Sequence, residues 1–221
     1  MAAAKKTEEI VEIRPLEIRE VKIKIVGDTP LIVHAWSEKS KRMMLEAQMK
    51  TTKTKARELR DPFDDFIQSM YWLEGKPDVS TPEAFDEACA NGAKWGFPVG
   101  ALKMAGNAAA YRMGWVKNQM GLRGAYFLKS EYGEYAQIIT EEPPIMREDM
   151  VRVGMGSADL RYRAEYHDWS MNLTLEYNAS GEYTLEQIIN IINAGGFGCG
   201  IGEWRPEKDG QYGMYHVESA T

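Results

Sequence analysis

The sequence has few of the residues that build cross-linked or metal-held folds: two cysteines and three histidines among 221 residues. Cys89 and Cys199 match no zinc spacing, and His34, His167 and His216 are scattered. These shortages argue against a disulfide framework, a structural metal or a metal cofactor, and they read as a reduced, cytoplasmic setting. No run approaches the ~20 apolar residues of a membrane helix, so no membrane association is expected. The opening Met1–Glu9 has no apolar stretch behind its charges, which does not read as a secretory signal. Internal repeats and low-complexity segments are missing as well.

The most informative shortage is local. From Gly92 to Ser130, 39 residues carry six bases (Lys94, Lys103, Arg112, Lys117, Arg123 and Lys129) and no carboxylate, in a chain with 33 acidic residues. Just before it, Asp61 to Asn91 holds eight acids against Lys76 alone, and Lys39 to Arg60 holds eight bases against Glu46 and Glu58. The formal net charge of −6 conceals this segregation. A field that attracts polyanions can be built locally in an acidic chain. The plain alternative for 39–60 is a solvated helix face.

What is present resembles an ordinary globule: 44% hydrophobic and 27% charged residues. At roughly 150 residues per domain, the length predicts one domain with an extra lobe. We expect a flexible segment over 1–20, in which Ile10, Val11, Ile13, Leu16 and Ile18 show no clear period, the alternative being that they strap onto a sheet, and a single domain over 21–221. Val21–Val26 and Trp169–Tyr177 alternate as strands, Ala125–Leu128 and Ala136–Ile139 are shorter strand candidates, and Met150–Val153 reads as extended. Leu31–His34 either continues the first strand or begins a connection. Ser37 caps a helix expected to run to about residue 59, and Asp61-Pro62 starts a shorter one. Thr81-Pro82-Glu83 opens a third, ending near Asn91-Gly92. Phe97–Gly100 reads as a loop into an alanine-rich helix over Ala101–Met113. Thr184-Leu-Glu-Gln187 is a capping box ahead of Leu185, Ile188, Ile189 and Ile192, and Met214–Val217 is a last strand. The order predicts an α+β fold: a ferredoxin/RRM-like antiparallel sheet with helices on one face and a helical insertion over about 37–92.

Three motifs carry chemistry. Gly196-Phe-Gly198-Cys-Gly200-Ile-Gly202 alternates glycines, which lets backbone amides approach a bulky anion. A dinucleotide fingerprint would follow a strand and open a helix; here a helix precedes. The alternative is a tight connection with a glycine helix stop. Phe97-Pro98-Val99-Gly100-Ala101-Leu102-Lys103 feeds a helix start, where free amides bind phosphate and Lys103 adds charge. Arg161-Tyr162-Arg163-Ala-Glu-Tyr166-His-Asp-Trp169 interleaves arginines with aromatics, as base stacking and phosphate contact require; its alternative is a strand-edge aromatic cluster.

Taken in order, the Pro-Val-Gly-Ala-Leu-Lys junction at 98–103 and the late glycine-rich segment at 196–202 resemble the CRISPR repeat-associated RAMP superfamily, whose RRM-like folds hold RNA. The resemblance implies that Gly100 and Lys103 contact backbone phosphates and that Gly196, Gly198, Gly200 and Gly202 form a nucleic-acid-facing loop. The serine pair usual at that junction stands here as Val99-Gly100-Ala101, and the catalytic histidine of RAMP nucleases has no counterpart, so backbone binding rather than cleavage is implied. Arg161–Trp169 and Gly200-Ile-Gly-Glu-Trp204-Arg205-Pro-Glu-Lys-Asp-Gly210 are similar to a group of uncharacterised bacteriophage and prophage proteins.

No nucleophile elbow occurs. His34, among Ile32, Val33, Ala35 and Trp36, reads as a core or strand-end histidine, and His167 as a turn cap. Asp64-Asp65 and Glu141-Glu142 lack a metal-site context. The expectation is therefore a non-catalytic single-stranded nucleic-acid-binding protein without a cofactor, assembling side by side as a homo-oligomer. Lys94, Lys103, Arg112, Lys117, Arg123, Arg161, Arg163 and Arg205 would meet phosphates beside the glycine segment, and Tyr162, Tyr166, Trp169 or Trp204 would stack bases. Six such contacts imply a salt slope of roughly −4. The alternatives are a protein-interaction module that mimics a RAMP subunit and blocks a host defence complex, a phage assembly role, or a nuclease.

Overall fold

The alternation of Val21, Ile23 and Ile25 with Lys22 and Lys24 does what a period of two requires: Ile23 and Ile25 are buried and the lysines face outward. The computed structural model describes residues 15–49, 60–153 and 156–220. In chain order these form β1 (Ile18–Gly27), β2 (Leu31–Val33), α1 (Glu38–Gln48), α2 (Pro62–Gln68), β3 (Tyr71–Trp72), α3 (Pro82–Ala90), β4 (Trp95–Pro98) and α4 (Val99–Arg112). There follow α5 (Gln119–Arg123), β5 (Tyr126–Lys129), β6 (Tyr135–Ile138), β7 (Ile145–Val153), β8 (Ser157–Tyr166), β9 (Ser170–Asn178), α6 (Leu185–Gly198) and β10 (Tyr215–Ala220). The fold is α+β, and its sheets are antiparallel.

Capping chemistry sets the helix starts. Ser37, Asp61 and Thr81 each accept a backbone N–H from the first turn of α1, α2 and α3, and Thr184 and Gln187 form both halves of the capping box of α6. The part of the expected first helix beyond Met49, with Lys50, Lys53, Lys55 and Arg57, lies outside the described residues, as do Ile10, Val11 and Ile13.

The principal sheet has the order β10–β1–β9–β5. Leu102, Ala105 and Ala109 of α4 and Ile188, Ile191 and Ile192 of α6 share one buried cluster with Ile23, Ile25, Met171, Leu173 and Leu175 of the sheet. Two tyrosines pin α4 to the strands: the Tyr126 hydroxyl bonds Asn107 Oδ1 at 3.2 Å, and the Tyr215 hydroxyl donates to the Leu102 carbonyl at 3.4 Å.

Beyond this sheet the central ribbon turns a corner. The β1–β9 ladder reaches Val26 opposite Ser170, and the β2–β8 ladder resumes at Leu31 opposite Tyr166. Fully buried Trp169 fills the bend, its indole N–H donating to the Thr29 carbonyl at 2.8 Å. β8 then pairs with β7 along the whole of β7 as a long hairpin. A third sheet, β3–β4–β6, closes over an aromatic cluster of Trp72, Phe85, Trp95 and Phe66.

Four expectations are corrected. β1 begins at Ile18, and the Glu17 N–H bonds Asn178 Oδ1 at 2.9 Å, so residues 17–20 belong to the domain rather than to a loose leader. Phe97 and Pro98 close a strand instead of forming a loop. Residues 161–166, read as an arginine–aromatic cluster, are the second half of β8. Gly196 and Gly198 lie in α6, not in a loop, because the helix must run on under β10: a Cβ on Gly196 would stand 1.8 Å from the Tyr215 carbonyl oxygen.

Candidate functional site

α4 starts without a side-chain cap. The first amides of a helix have no intrahelical partner. That of Val99 is taken by the Glu134 carbonyl at 2.9 Å, while Gly100 is exposed, with open space where a Cβ would stand. Across from this helix start runs the turn that leaves α6. Gly202 is in the left-handed region (φ +76°) and lies against β2, where a Cβ would stand 2.3 Å from the Ile32 carbonyl oxygen. The Glu203 N–H then bonds that carbonyl at 2.9 Å. Between the two segments lies a groove of about 310 Å3, lined by Pro98, Ala101 and Met104 on one side and by Gly200, Gly202, Glu203 and Arg205 on the other, with His34 and Tyr71 at its end.

Paired charges line the groove. Arg205 donates to the Gly202 carbonyl at 2.9 Å and to Glu207 at 2.9 Å, and Arg112 reaches the other Glu207 oxygen at 2.6 Å. Burial works against the Glu207 carboxylate, yet these two guanidiniums hold its pKa below the usual range. His34 Nδ1 lies 3.3 Å from Glu203 Oε1. This contact, with Arg163 and Arg205 nearby, keeps the Glu203 pKa low despite burial.

Glu203 also joins the groove to a buried ionic network. Arg163 lies 3.2 Å from Asp149 and 3.9 Å from Glu203, and Arg147 bonds both Asp149 (2.8 Å) and Glu165 (2.7 Å). Burial disfavours the Arg147 charge, but its bonds to Glu165 and Asp149 more than offset this and raise its pKa. His167 sits 2.8 Å from Glu165, at the edge of the network rather than as a plain turn cap.

The expected binding residues therefore divide. Gly200, Gly202 and Arg205 meet in the groove; Gly100 stands between Pro98 and Ala101 of its wall without lining it, and Arg112 reaches its rim through Glu207. Trp204 is partly exposed beside them, at 39%. Lys103 projects from another side of α4: its ammonium donates to the Arg123 carbonyl at 2.7 Å and sits 3.9 Å from the Phe127 ring centroid, and burial lowers its pKa. Arg123 and Lys117 are exposed at and near α5, and Lys94 is paired with Glu74 at 2.6 Å. Arg161 bonds Asp159 at 2.9 Å on the hairpin, and Tyr162 of the same strand is partly buried. Tyr166 and Trp169 are fully buried and present no face to a base, and buried Arg163 is spent on carboxylates. Convergence of all these cations into one groove is thus not what the fold produces. Glu203 and Glu207 are site residues that sequence reasoning passed over, and His34, read as a core or strand-end histidine, is exposed directly after β2. The signal for the two acids was the short polar segment Glu203–Glu207 directly after the glycines.

Compared with known proteins, the chain matches no protein-family model and no curated protein. Among the described residues, no cluster of three or more histidine, cysteine or acidic side chains is arranged to hold a metal ion, and no helix is long and apolar enough to cross a membrane.

Proposed function

We propose that the chain binds single-stranded nucleic acid, RNA or DNA, without cleaving it, in a cytoplasmic setting and with copies side by side along the strand. The observation that carries this reading is the meeting of the uncapped α4 start with the Gly200–Arg205 turn in one groove. Backbone amides at a helix start attract phosphate oxygens; Arg205 on the opposite wall and Arg112 at the rim supply guanidinium donors, both of them shared with Glu207. Trp204 offers a partly exposed ring for stacking. In the same reading, β1–α4–β5–β9–α6–β10 is a ferredoxin-like βαββαβ core of the RRM kind. The strand order and the packing of α4 and α6 in one cluster with the sheet favour it. The distant relation to RAMP and phage proteins rests on the quoted motifs alone.

Two arginine–phosphate contacts predict a salt slope of about −1.4, well short of the roughly −4 expected from six. The decisive test is titration of single- and double-stranded RNA and DNA at two salt concentrations with wild type and Gly100→Glu. The position is open, and a carboxylate at a helix start stabilises the helix, so this variant folds while repelling phosphate. Single strands are expected to bind wild type and to lose affinity for the variant. Equal binding by both, or an affinity indifferent to salt, removes the groove from the reading. Binding of no strand at all leaves the protein-interaction alternative.

A further inference from the structure

Helix α1 buries none of its residues, and Met43, Leu45 and Met49 are each more than half exposed. An 11-residue helix is marginal in water without tertiary packing. Leu45 and Met49, one turn apart, form an apolar ridge with Lys41 and Arg42 flanking it one turn earlier. Elsewhere, beside α3, the surface carries a cleft of about 380 Å3. Its apolar lining comes from Trp72, Val79, Ala84 and Ala88, and exposed Glu74, Asp78 and Glu87 edge it.

We propose that this cleft receives the α1 ridge of a second copy of the chain. Charge complementarity names the occupant. The described α1 holds Lys39, Lys41 and Arg42 against Glu38 and Glu46, a balance of one positive charge, with Lys41 bonded to Glu38 at 2.7 Å. The cleft and α3 hold Glu74, Asp78, Glu83, Asp86 and Glu87 against Lys94, which is already tied to Glu74. Ridge and cleft are different surfaces, so the contact is head-to-tail and each subunit is left with one ridge and one cleft for further copies. Burial of Leu45 and Met49 in the apolar lining supplies the driving force, and the carboxylates set orientation and rate. The inference rests on the side-by-side reading above but not on nucleic acid.

The test is sedimentation velocity of the full chain over a concentration series, without nucleic acid. Wild type is expected to associate progressively. The ridge variant Leu45→Glu/Met49→Glu and the cleft variant Asp78→Lys/Glu87→Lys are each expected to stay monomeric; all four positions are exposed, so folding is retained, and circular dichroism verifies it. An equimolar mixture of the two variants forms a one-to-one dimer that cannot extend, because the intact ridge of the cleft variant docks in the intact cleft of the ridge variant and no matched pair of surfaces is left.

 Between the variants a one-to-one dimer forms, and this dimer is the expected product. Wild type that remains monomeric throughout, a ridge variant that associates like wild type, or a mixture without the dimer overturns the proposal. A strand long enough for one groove separates the two readings. If the ridge variant binds it as wild type does while assembly follows no ridge or cleft change, only the docking contact falls. If assembly follows both and no strand binds, only the nucleic-acid reading falls.

Discussion

Gly195 on α6 faces Gly106 on α4 so closely that a Cβ on Gly195 would stand 2.5 Å from the Gly106 backbone nitrogen. The two helices meet backbone to backbone, and that contact sets where the turn after α6 lies over the start of α4. Gly195→Ala is therefore expected to destabilise the fold despite alanine's better helix propensity. Overpacking of about 2 kcal/mol corresponds to a Tm lower by roughly 4–8 °C in a chain of this size. A thermal melt at unchanged or higher Tm would show that the helices can separate freely.

Arg161 and Arg163 project from the same strand and differ in what they do. Arg163 is 6% exposed and bonded to Asp149, whereas Arg161 reaches Asp159 at the surface of the hairpin. Removing one partner of a buried ionic network costs about 3–5 kcal/mol, and a surface pair is worth about 1 kcal/mol or less. Urea unfolding should place Arg163→Ala far below wild type and Arg161→Ala close to it. Similar midpoints for the two variants would contradict the buried network.

Lys103 ties α4 to α5 through the Arg123 carbonyl. Its bond to the Arg123 carbonyl and the ammonium contact with the Phe127 ring are both lost in Lys103→Met, which keeps an unbranched apolar side chain in their place. We expect a stability loss of about 1 kcal/mol and unchanged affinity for single strands, in contrast to Arg205→Ala, which weakens binding. A Lys103→Met variant that folds normally and loses binding would return this lysine to the site.

Glu203 ties stability to acid pH. Its folded pKa is lowered, first by the His34 contact and then by Arg163 and Arg205 against the effect of burial. The stabilisation is therefore complete above the unfolded-state pKa of the carboxyl and is lost as pH falls through the folded one. Unfolding measured from neutral to acid pH should show wild type losing more stability than Glu203→Gln. Parallel profiles would mean that the contact with His34 contributes nothing in solution.

Local chemistry was legible in the sequence. Ser37, Asp61, Thr81 and Thr184 cap the helices they were expected to cap, and the alternation of β1 and β9 faces the core as read, because each signal acts within a few residues. β8 was hidden because the charged face of Arg163 and Glu165 is itself buried, against Asp149 and Arg147 from a neighbouring strand and Glu203 from a distant turn. Trp169 looked like a stacking residue because only the bend between β8 and β9 shows what it fills.

The glycine segment divides for a similar reason. Gly196 answers to Tyr215 and Gly202 to Ile32, two backbone approaches made by parts of the chain that spacing alone does not bring together. The meeting of residues 98–101 with residues 200–205 is likewise tertiary. Charge counts along the chain could not anticipate it, since most of the arginines concerned carry their own carboxylates.

The place of β1 in the principal sheet has a consequence for biosynthesis. β1 is flanked by β9 and β10, and β9 begins more than 140 residues after β1 ends. At ~5–20 residues per second, a ribosome would take roughly 7–30 s to deliver the first of those neighbours. Throughout that interval both hydrogen-bonding edges of β1 go unpaired, and a nascent chain stalled before β9 would be the form most in need of a chaperone.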